Sequence, residues 1–248
     1  GRRERQRGSD DGGVRVRGVR VEVADQAVRA RVEPWVQGLV GRRLAPWDLA
    51  DKAAEVRKRL ARERYLGVES DAALDGDVLV FRVRVGARYR VVVAGMSTPP
   101  DLAESFGELL SEEDGRVLGR RLLLRELYRR GHLQAEVAMT AENETVPGGV
   151  EGVLRVLAFT VRAGPALQGA TLRFPGVDAP TAARLSELVG GVEGLLLDSN
   201  AALVRLREFY ARDFRLSARV GPLHQRILGD RLDIEVTSPS EAAARTAE

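Results

Sequence analysis

The sequence contains no cysteine, which excludes a disulfide framework, a cysteine nucleophile and a thiolate metal site. No run of apolar residues approaches the roughly 18 that a membrane-spanning helix needs. The opening segment 1–13 begins with glycine and lacks the apolar core of a signal peptide, so it is expected to be a disordered basic lead in a chain cut from something longer.

Lysine and aromatic residues are both scarce. Only Lys52 and Lys58 of the 39 basic residues are lysines, and the arginines are interspersed with 36 acidic residues, which leaves a net charge of +3. Such mixed charge favours a solvated surface over a continuous basic groove. Aromatic residues make up 5% of the chain, so few side chains could stack on nucleic-acid bases. Nucleic acid is therefore not expected as a partner.

Residue types that carry catalysis or hold metals are also few. The two histidines, His132 and His224, have no second histidine at a ligand spacing. His132 is interpreted as a packing residue, and the acidic cluster at 112–114 as the first turn of a helix. The chain is therefore expected to be no enzyme and to use no cofactor and no metal.

An internal repeat is the main positive signal. The segments 81–87 and 159–165 both read Phe-x-Val-x-x-Gly followed by a small residue, and their glycines are Gly86 and Gly164. The alternation of apolar and polar residues predicts a strand with one buried face that ends at a turn. A third copy is expected nearer the N-terminus, with its first strand at 21–25.

Three helices are predicted to hold equivalent core leucines. Leu60, Leu124 and Leu206 each lie in an apolar stripe at helical spacing. Gly67 and Gly131 follow the first two leucines by the same interval and are interpreted as helix-ending glycines, with Asp213 in the corresponding third position. A second, earlier helix is expected in each unit, at 26–41, 100–110 and 180–189.

Turn signals complete the repeat. Each long helix is followed by two apolar segments joined by a turn, at 75–76, 147–149 and 229–230. The order is strand, helix, helix, strand, strand, which predicts an α+β chain of tandem βααββ modules, each a three-stranded sheet packed on two helices. The predicted units lie at 14–87, 88–165 and 166–238, with limited contact across the joints and a polar tail at 239–248.

This pattern resembles the tandem POTRA domains of the BamA/TamA outer-membrane barrel-assembly family. The second unit carries the resemblance best, since its helix ends in Tyr-x-x-Gly-aromatic-x-x-Ala-x-Val from Tyr128 to Val137, with His132 at the aromatic position. The third unit keeps the aromatics Tyr210 and Phe214. Gly164 followed by proline is similar to the joint at which one such repeat leads into the next.

The resemblance implies a periplasmic protein tethered to the outer membrane through a β-barrel beyond residue 248. Its implied partners are unfolded outer-membrane β-barrel proteins and accessory assembly subunits. Strand addition at a sheet edge is the implied binding mode, and the strand after the second helix is the accepting edge. The expected peptide-binding residues are therefore Ala135, Val137, Met139, Ala141, Ala218 and Val220.

Two alternatives remain open at this stage. A two-partner-secretion or cell-division protein with POTRA-like modules would act as a protein-interaction scaffold and would be distinguished by the sequence that follows. The predicted edges are also compatible with simple solvation, because charged residues such as Glu136 and Arg219 blunt an edge.

Overall fold

A computed structural model of the chain describes residues 13–107, 111–145, 153–214 and 220–238. The strands in these ranges are β1 (Val14–Arg15), β2 (Gly18–Glu22), β3 (Arg43–Leu44), β4 (Glu69–Asp75), β5 (Val78–Arg84), β6 (Arg88–Ala94), β7 (Glu136–Thr145), β8 (Val153–Arg162), β9 (Gly169–Arg173), β10 (Leu223–Leu228) and β11 (Arg231–Val236). The helices are α1 (Gln26–Gln37), α2 (Pro46–Arg62), α3 (Leu102–Phe106), α4 (Glu112–Arg129), α5 (Ala179–Leu188), α6 (Gly191–Leu197) and α7 (Ser199–Asp213). Among these described helices, none combines the length and the apolarity that crossing a bilayer requires.

The strands form three separate three-stranded sheets, in the orders β2-β5-β4, β6-β8-β7 and β10-β11-β9, and a two-stranded ribbon of β1 and β3. In the first and last sheets the central strand pairs in parallel with the first strand of its group and in antiparallel with its hairpin partner. This is the sheet that a βααββ order produces, and the predicted α+β class is confirmed. The limits of the units at 14–87, 88–165 and 166–238 stay predictions.

By compactness the described chain divides into two units. Within the described ranges, the first comprises residues 13–92, 102–107, 111–116, 140–145 and 153–158, and the second comprises residues 93–101, 117–139, 159–214 and 220–238.

The core of the first unit joins α1 and α2 to the sheet β2-β5-β4. Asp25 caps helix α1: its side chain accepts hydrogen bonds from the N–H groups of Ala27 at 2.8 Å and Val28 at 3.3 Å. The preceding strand, β2, spans Gly18–Glu22 and ends before this cap. The strand predicted at 21–25 is therefore placed three residues too late. The β1-β3 ribbon was not predicted.

Ser111 caps helix α4, which follows the short helix α3 and begins at Glu112. The backbone N–H of Asp114 donates to Ser111 Oγ at 3.1 Å, as a serine cap does. The predicted helix at 100–110 is shorter in the structure, spanning Leu102–Phe106, and residues 108–110 lie outside the described residues. The predicted turn at 147–149 also lies outside them.

The core around the last sheet contains three helices instead of the predicted two. Asp198 caps α7 by accepting from the N–H of Ala201 at 3.0 Å, and α6 precedes it. Gly190 and Gly191 have φ of +75° and +66°, which separates α6 from α5. Glycine is a poor helix former, and three glycines lie between 190 and 194. The sequence pattern therefore did not predict α6.

Candidate functional site

The described side chains offer little reactive chemistry. In the described ranges, histidine, aspartate and glutamate nowhere form a group of three that would hold a metal ion. His132 Nδ1 lies 3.1 Å from the carbonyl oxygen of Gly164, so this ring makes a polar contact beyond the packing that was predicted for it. His224 is exposed on β10. What the sheets do present is backbone at their open edges.

The open edge of β10 can be read from its pairing with β11. Leu228 and Arg231 close a two-residue turn at Gly229 and Asp230, and alternate pairs before them exchange backbone hydrogen bonds across the hairpin. The N–H and C=O groups of the intervening residues then face away from β11, because successive residues of a strand point in opposite directions. These residues are Leu223, Gln225 and Ile227.

This edge is accessible. All residues of β10 after Leu223 are exposed, and the apolar residues Ile227 and Leu228 keep 43% and 54% of their surface. An exposed edge with apolar side chains is a template for another strand. The strand therefore combines unpaired backbone groups with apolar contacts for an incoming chain.

The predicted residues of the second edge lie on or beside β7. This strand is at the edge of its sheet, as the order β6-β8-β7 shows, and it spans Glu136–Thr145. Ala135 immediately precedes it, while Val137 and Met139 bury their side chains and Ala141 is half-buried. Peptide binding at this edge stays a prediction.

Of the two residues predicted for the third edge, Val220 is misplaced. Ala218 lies outside the described residues, and Val220 is buried and precedes β10, which begins at Leu223. Pro222 has no N–H to donate, so the regular ladder starts after it. The turn at 229–230 was predicted, but the register that it sets was not used: counting back from it fixes the pairing of the whole hairpin.

The edge of the first sheet is different in character. Its outer strand β4 carries acidic residues whose carboxylates pair with arginines of the sheet: Glu69 with Arg84, Asp71 with Arg82 and Asp75 with Arg20. Charged side chains along an edge oppose the approach of another strand. By this criterion β10 is a better acceptor than β4.

Two predicted joints share one backbone pattern, which we call the joint clasp. After α2 the residue Arg64 has a φ of +69°, and after α4 the residue Gly131 has a φ of +85°. The carbonyl of Arg64 accepts from the N–H of Tyr89 at 2.8 Å, and the carbonyl of Gly131 accepts from the N–H of Leu167 at 2.8 Å. Each clasp fixes the start of the next strand region to the end of a helix.

The joint clasp corrects the predicted register of the repeat. After Arg64, the N–H of Tyr65 donates to the carbonyl of Leu60 at 3.2 Å. After Gly131, the N–H of His132 donates to the carbonyl of Leu127 at 2.9 Å. Leu60 thus corresponds to Leu127 and not to Leu124. The predicted match of Gly67 to Gly131 is wrong for the same reason, since Arg64 occupies the left-handed position in which glycine was expected.

The leucines themselves lie in the interior. Leu60, Leu124 and Leu206 have 0%, 1% and 0% of their surface exposed. Asp213, expected as a third helix-ending residue, is the last residue of α7. The apolar stripes therefore identified buried positions, although the glycine spacing did not align them correctly.

Contact at the joints exceeds the limited contact that was expected. At the first joint Leu66 donates to Ala87 at 3.0 Å and accepts from Gly86 at 2.7 Å. A side chain on Gly86 would place its Cβ 2.8 Å from the Leu66 carbonyl oxygen, which explains a glycine at that position.

At the second joint, side chains of α4 contact α6. The Tyr128 hydroxyl donates to the carbonyl of Leu196 at 3.3 Å, and Arg125 pairs with Glu193 at 3.4 Å. Leu133 packs against the core cluster that contains Leu206. Burial raises the pKa of Tyr128, because the charged phenolate would lose its water.

We expect Tyr128→Phe to lower the free energy of unfolding by about 0.5–1.5 kcal/mol, the usual net value of one such hydrogen bond. The raised pKa also gives a pH dependence. The contribution of the neutral phenol is complete below the ordinary pKa of about 10 and is lost as pH rises through the higher folded value. Denaturant unfolding and phenolate absorbance, both compared with the wild type, measure the two effects. Equal stabilities and an ordinary pKa for this phenol would contradict the assignment.

These observations define the class: an α+β chain of small three-stranded sheets on helices, with open strand edges and backbone clasps at its joints. No protein-family model and no curated protein matches the sequence. Among solved structures, the chain is similar to the N-terminal domain of Omp85 from Thermosynechococcus elongatus, with 18% identity, a TM-score of 0.36 and coverage of 93% of this chain and 100% of that one.

Two further structures are similar over comparable lengths. POTRA1-3 of the periplasmic domain of Omp85 from Anabaena has 12% identity and a TM-score of 0.31, covering 94% of this chain and 98% of that one. POTRA3-5 of BamA from Haemophilus influenzae has 13% identity and a TM-score of 0.34, covering 92% of this chain and 97% of that one.

Proposed function

We propose that the chain is the periplasmic POTRA region of an outer-membrane protein assembly or translocation factor. It binds unfolded outer-membrane β-barrel proteins by adding them as strands to its sheets, and it acts as a scaffold without a cofactor. A membrane β-barrel on its C-terminal side tethers it to the outer membrane, and accessory assembly subunits dock on it. The order of elements, the sheet topology and the Tyr128 to Val137 motif support this proposal.

The open edge of β10 is the observation that carries the proposal. Its unpaired backbone groups at Leu223, Gln225 and Ile227 match the spacing of an incoming extended chain, which pairs through every second residue. Main-chain hydrogen bonds supply affinity without demanding a particular sequence. Such a site suits a receptor for many barrel precursors, whose strands differ in sequence and share an extended backbone.

The edge strand β7 supplies a second acceptor in this proposal. It has ten residues, and its exposed side chains alternate with Val137 and Met139, which anchor it to the core. A strand held from one side in this way presents a rigid edge. Two accepting edges, β7 and β10, would let one client chain bind at two places and gain affinity from the linkage.

We expect Gln225→Pro to remove binding at β10. Proline lacks the N–H that an incoming strand needs, and at this position the N–H faces the open edge, so no hairpin hydrogen bond is lost. Isothermal titration with an extended peptide of alternating apolar and polar residues should show the number of sites falling from two to one. The affinity of the remaining site should be unchanged.

Gln225→Ala is the matched control, because it removes the same side chain and keeps the N–H group. This variant should bind like the wild type at both sites. Arg226→Pro, whose N–H faces β11, should instead lower the stability of the hairpin. If folded Gln225→Pro still bound the peptide at two sites, strand addition at β10 would be wrong, and recognition by side chains would have to be tested instead.

A further inference from the structure

A surface beside the β1-β3 ribbon has features that strand addition does not use. We call it the ribbon patch and define it by five exposed residues: Arg15, Val40, Arg42, Arg43 and Trp47. They lie close together because β1 pairs with β3 and the N–H of Gly41 donates to the carbonyl of Val16 at 2.8 Å. Trp47 follows four residues after Arg43, in the first turn of α2.

The arginines of the ribbon patch oppose one another. Arg15 and Arg43 are directly paired across the antiparallel ribbon, an arrangement in which like charges destabilise the pair. In the part of the chain that the structure describes, no carboxylate pairs with Arg15, Arg42 or Arg43.

Two acidic side chains in the segments that adjoin the ribbon already have partners. The carboxylate of Asp48 accepts from the N–H of Ala45 at 2.8 Å, and Asp77 pairs with Arg17 at 3.2 Å. The ribbon patch thus keeps an excess of positive charge next to carboxylates that already have partners. An anionic ligand would relieve the repulsion between Arg15 and Arg43.

The apolar part of the ribbon patch is equally exposed. Trp47 keeps 73% of its surface accessible, whereas the other tryptophan, Trp35, is half-buried with Arg59 placed 5.6 Å above its ring. Trp47 lies on the side of α2 away from the core positions Ala53 and Val56. The exposed Val40 adjoins the ribbon through Gly41, whereas Val14, the cross-strand partner of the buried Leu44, points to the other face.

We propose that the ribbon patch binds the surface of an anionic phospholipid bilayer. Arginine forks pair with lipid phosphates, and tryptophan prefers the boundary between headgroups and acyl chains, where its ring is partly apolar and its N–H remains solvated. Soluble anionic partners such as nucleic acid satisfy the arginines and leave Val40 in water. The combination of guanidinium groups, Val40 and one indole fits a lipid interface better.

The binding test uses Trp47 as its own reporter. In the Trp35→Phe background Trp47 is the one remaining tryptophan. Its emission should shift to shorter wavelength on addition of vesicles that contain phosphatidylglycerol, and should stay unchanged with phosphatidylcholine vesicles. The shift should weaken as salt is added, because screening reduces the attraction of surface charges.

Arg15→Glu separates binding from folding. Each arginine near an anionic membrane contributes about fivefold to partitioning, so this reversal of charge should weaken vesicle binding by more than fivefold. The same change places a carboxylate opposite Arg43 and should raise the unfolding midpoint of the ribbon region. A variant that binds less while being more stable excludes misfolding as the cause.

Arg205→Glu, at an exposed position of α7, is the charge-matched control and should bind vesicles like its parent. An equal loss in this control, an equal shift with phosphatidylcholine, or an equal shift with polyglutamate or single-stranded DNA in place of vesicles would overturn the proposal. Titration of the extended peptide against Arg15→Glu should remain normal. Failure at the ribbon patch is therefore distinguishable from failure of strand addition at β10.

Discussion

Replacing Leu206 with alanine is expected to cost about 2–5 kcal/mol of unfolding free energy, the range measured for buried leucines. Leu206 is fully buried among β9, β11 and the helices α5 to α7, so truncation leaves a cavity that the neighbouring side chains fill only in part. The core clusters here are small, and a loss of this size is a large fraction of their stability.

Denaturant unfolding followed by hydrogen exchange measures this loss and locates it. Protection should fall first at the amides of β9 and β11. Val204→Ala is the matched control, since Val204 lies in the same helix with an exposed side chain, and its effect should stay within about 0.5 kcal/mol. Equal costs for Leu206→Ala and Val204→Ala would show that Leu206 does not anchor this core.

Gly131→Ala is expected to be nearly as damaging. The left-handed φ of +85° costs an alanine about 1–2 kcal/mol, and its Cβ would lie 2.5 Å from the carbonyl oxygen of Leu167, which belongs to the backbone and moves little. The second joint clasp would have to open, so we expect a total near 2–4 kcal/mol. Loss of amide protection at Leu167 is the specific readout.

Gly67→Ala supplies the control for Gly131→Ala. Gly67 also has a positive φ, of +57°, but an added Cβ there meets no atom within 4 Å. Only the backbone strain should appear, at about 1–2 kcal/mol. Identical losses for the two glycines would mean that the clash at Leu167 relaxes without cost and that the clasp is weaker than its geometry indicates.

Local signals predicted most of the elements. The two-residue turn at 229–230 and the apolar stripe that contains Leu60 depend on neighbouring residues alone, and both are placed as predicted. The turn predicted at 75–76 lies one residue later, because Asp75 is still paired with Val78. The errors arise where a local signal has more than one interpretation. Arg64 adopts the conformation for which glycine is the usual residue, so matching glycine to glycine shifted the repeat by one helical turn.

The candidate site was less predictable than the fold. Which backbone groups of β10 remain unpaired depends on its register with β11, and the predicted segment began too early because Pro222 was not used as the break in the ladder. The β1-β3 ribbon has two residues in each strand, too few for any periodicity. The opposition of Arg15 and Arg43 appears only once that pairing is known.

The joint clasp has a consequence for how such chains diversify. Its hydrogen bonds join main-chain atoms, so the side chains on either side are free to change: Arg64 and Gly131 hold equivalent places, as do Tyr65 and His132. A linkage that is independent of side-chain identity survives duplication of a segment and later divergence of the copies. Chains built in this way can lengthen or shorten by whole units, while the side chains of each copy diverge.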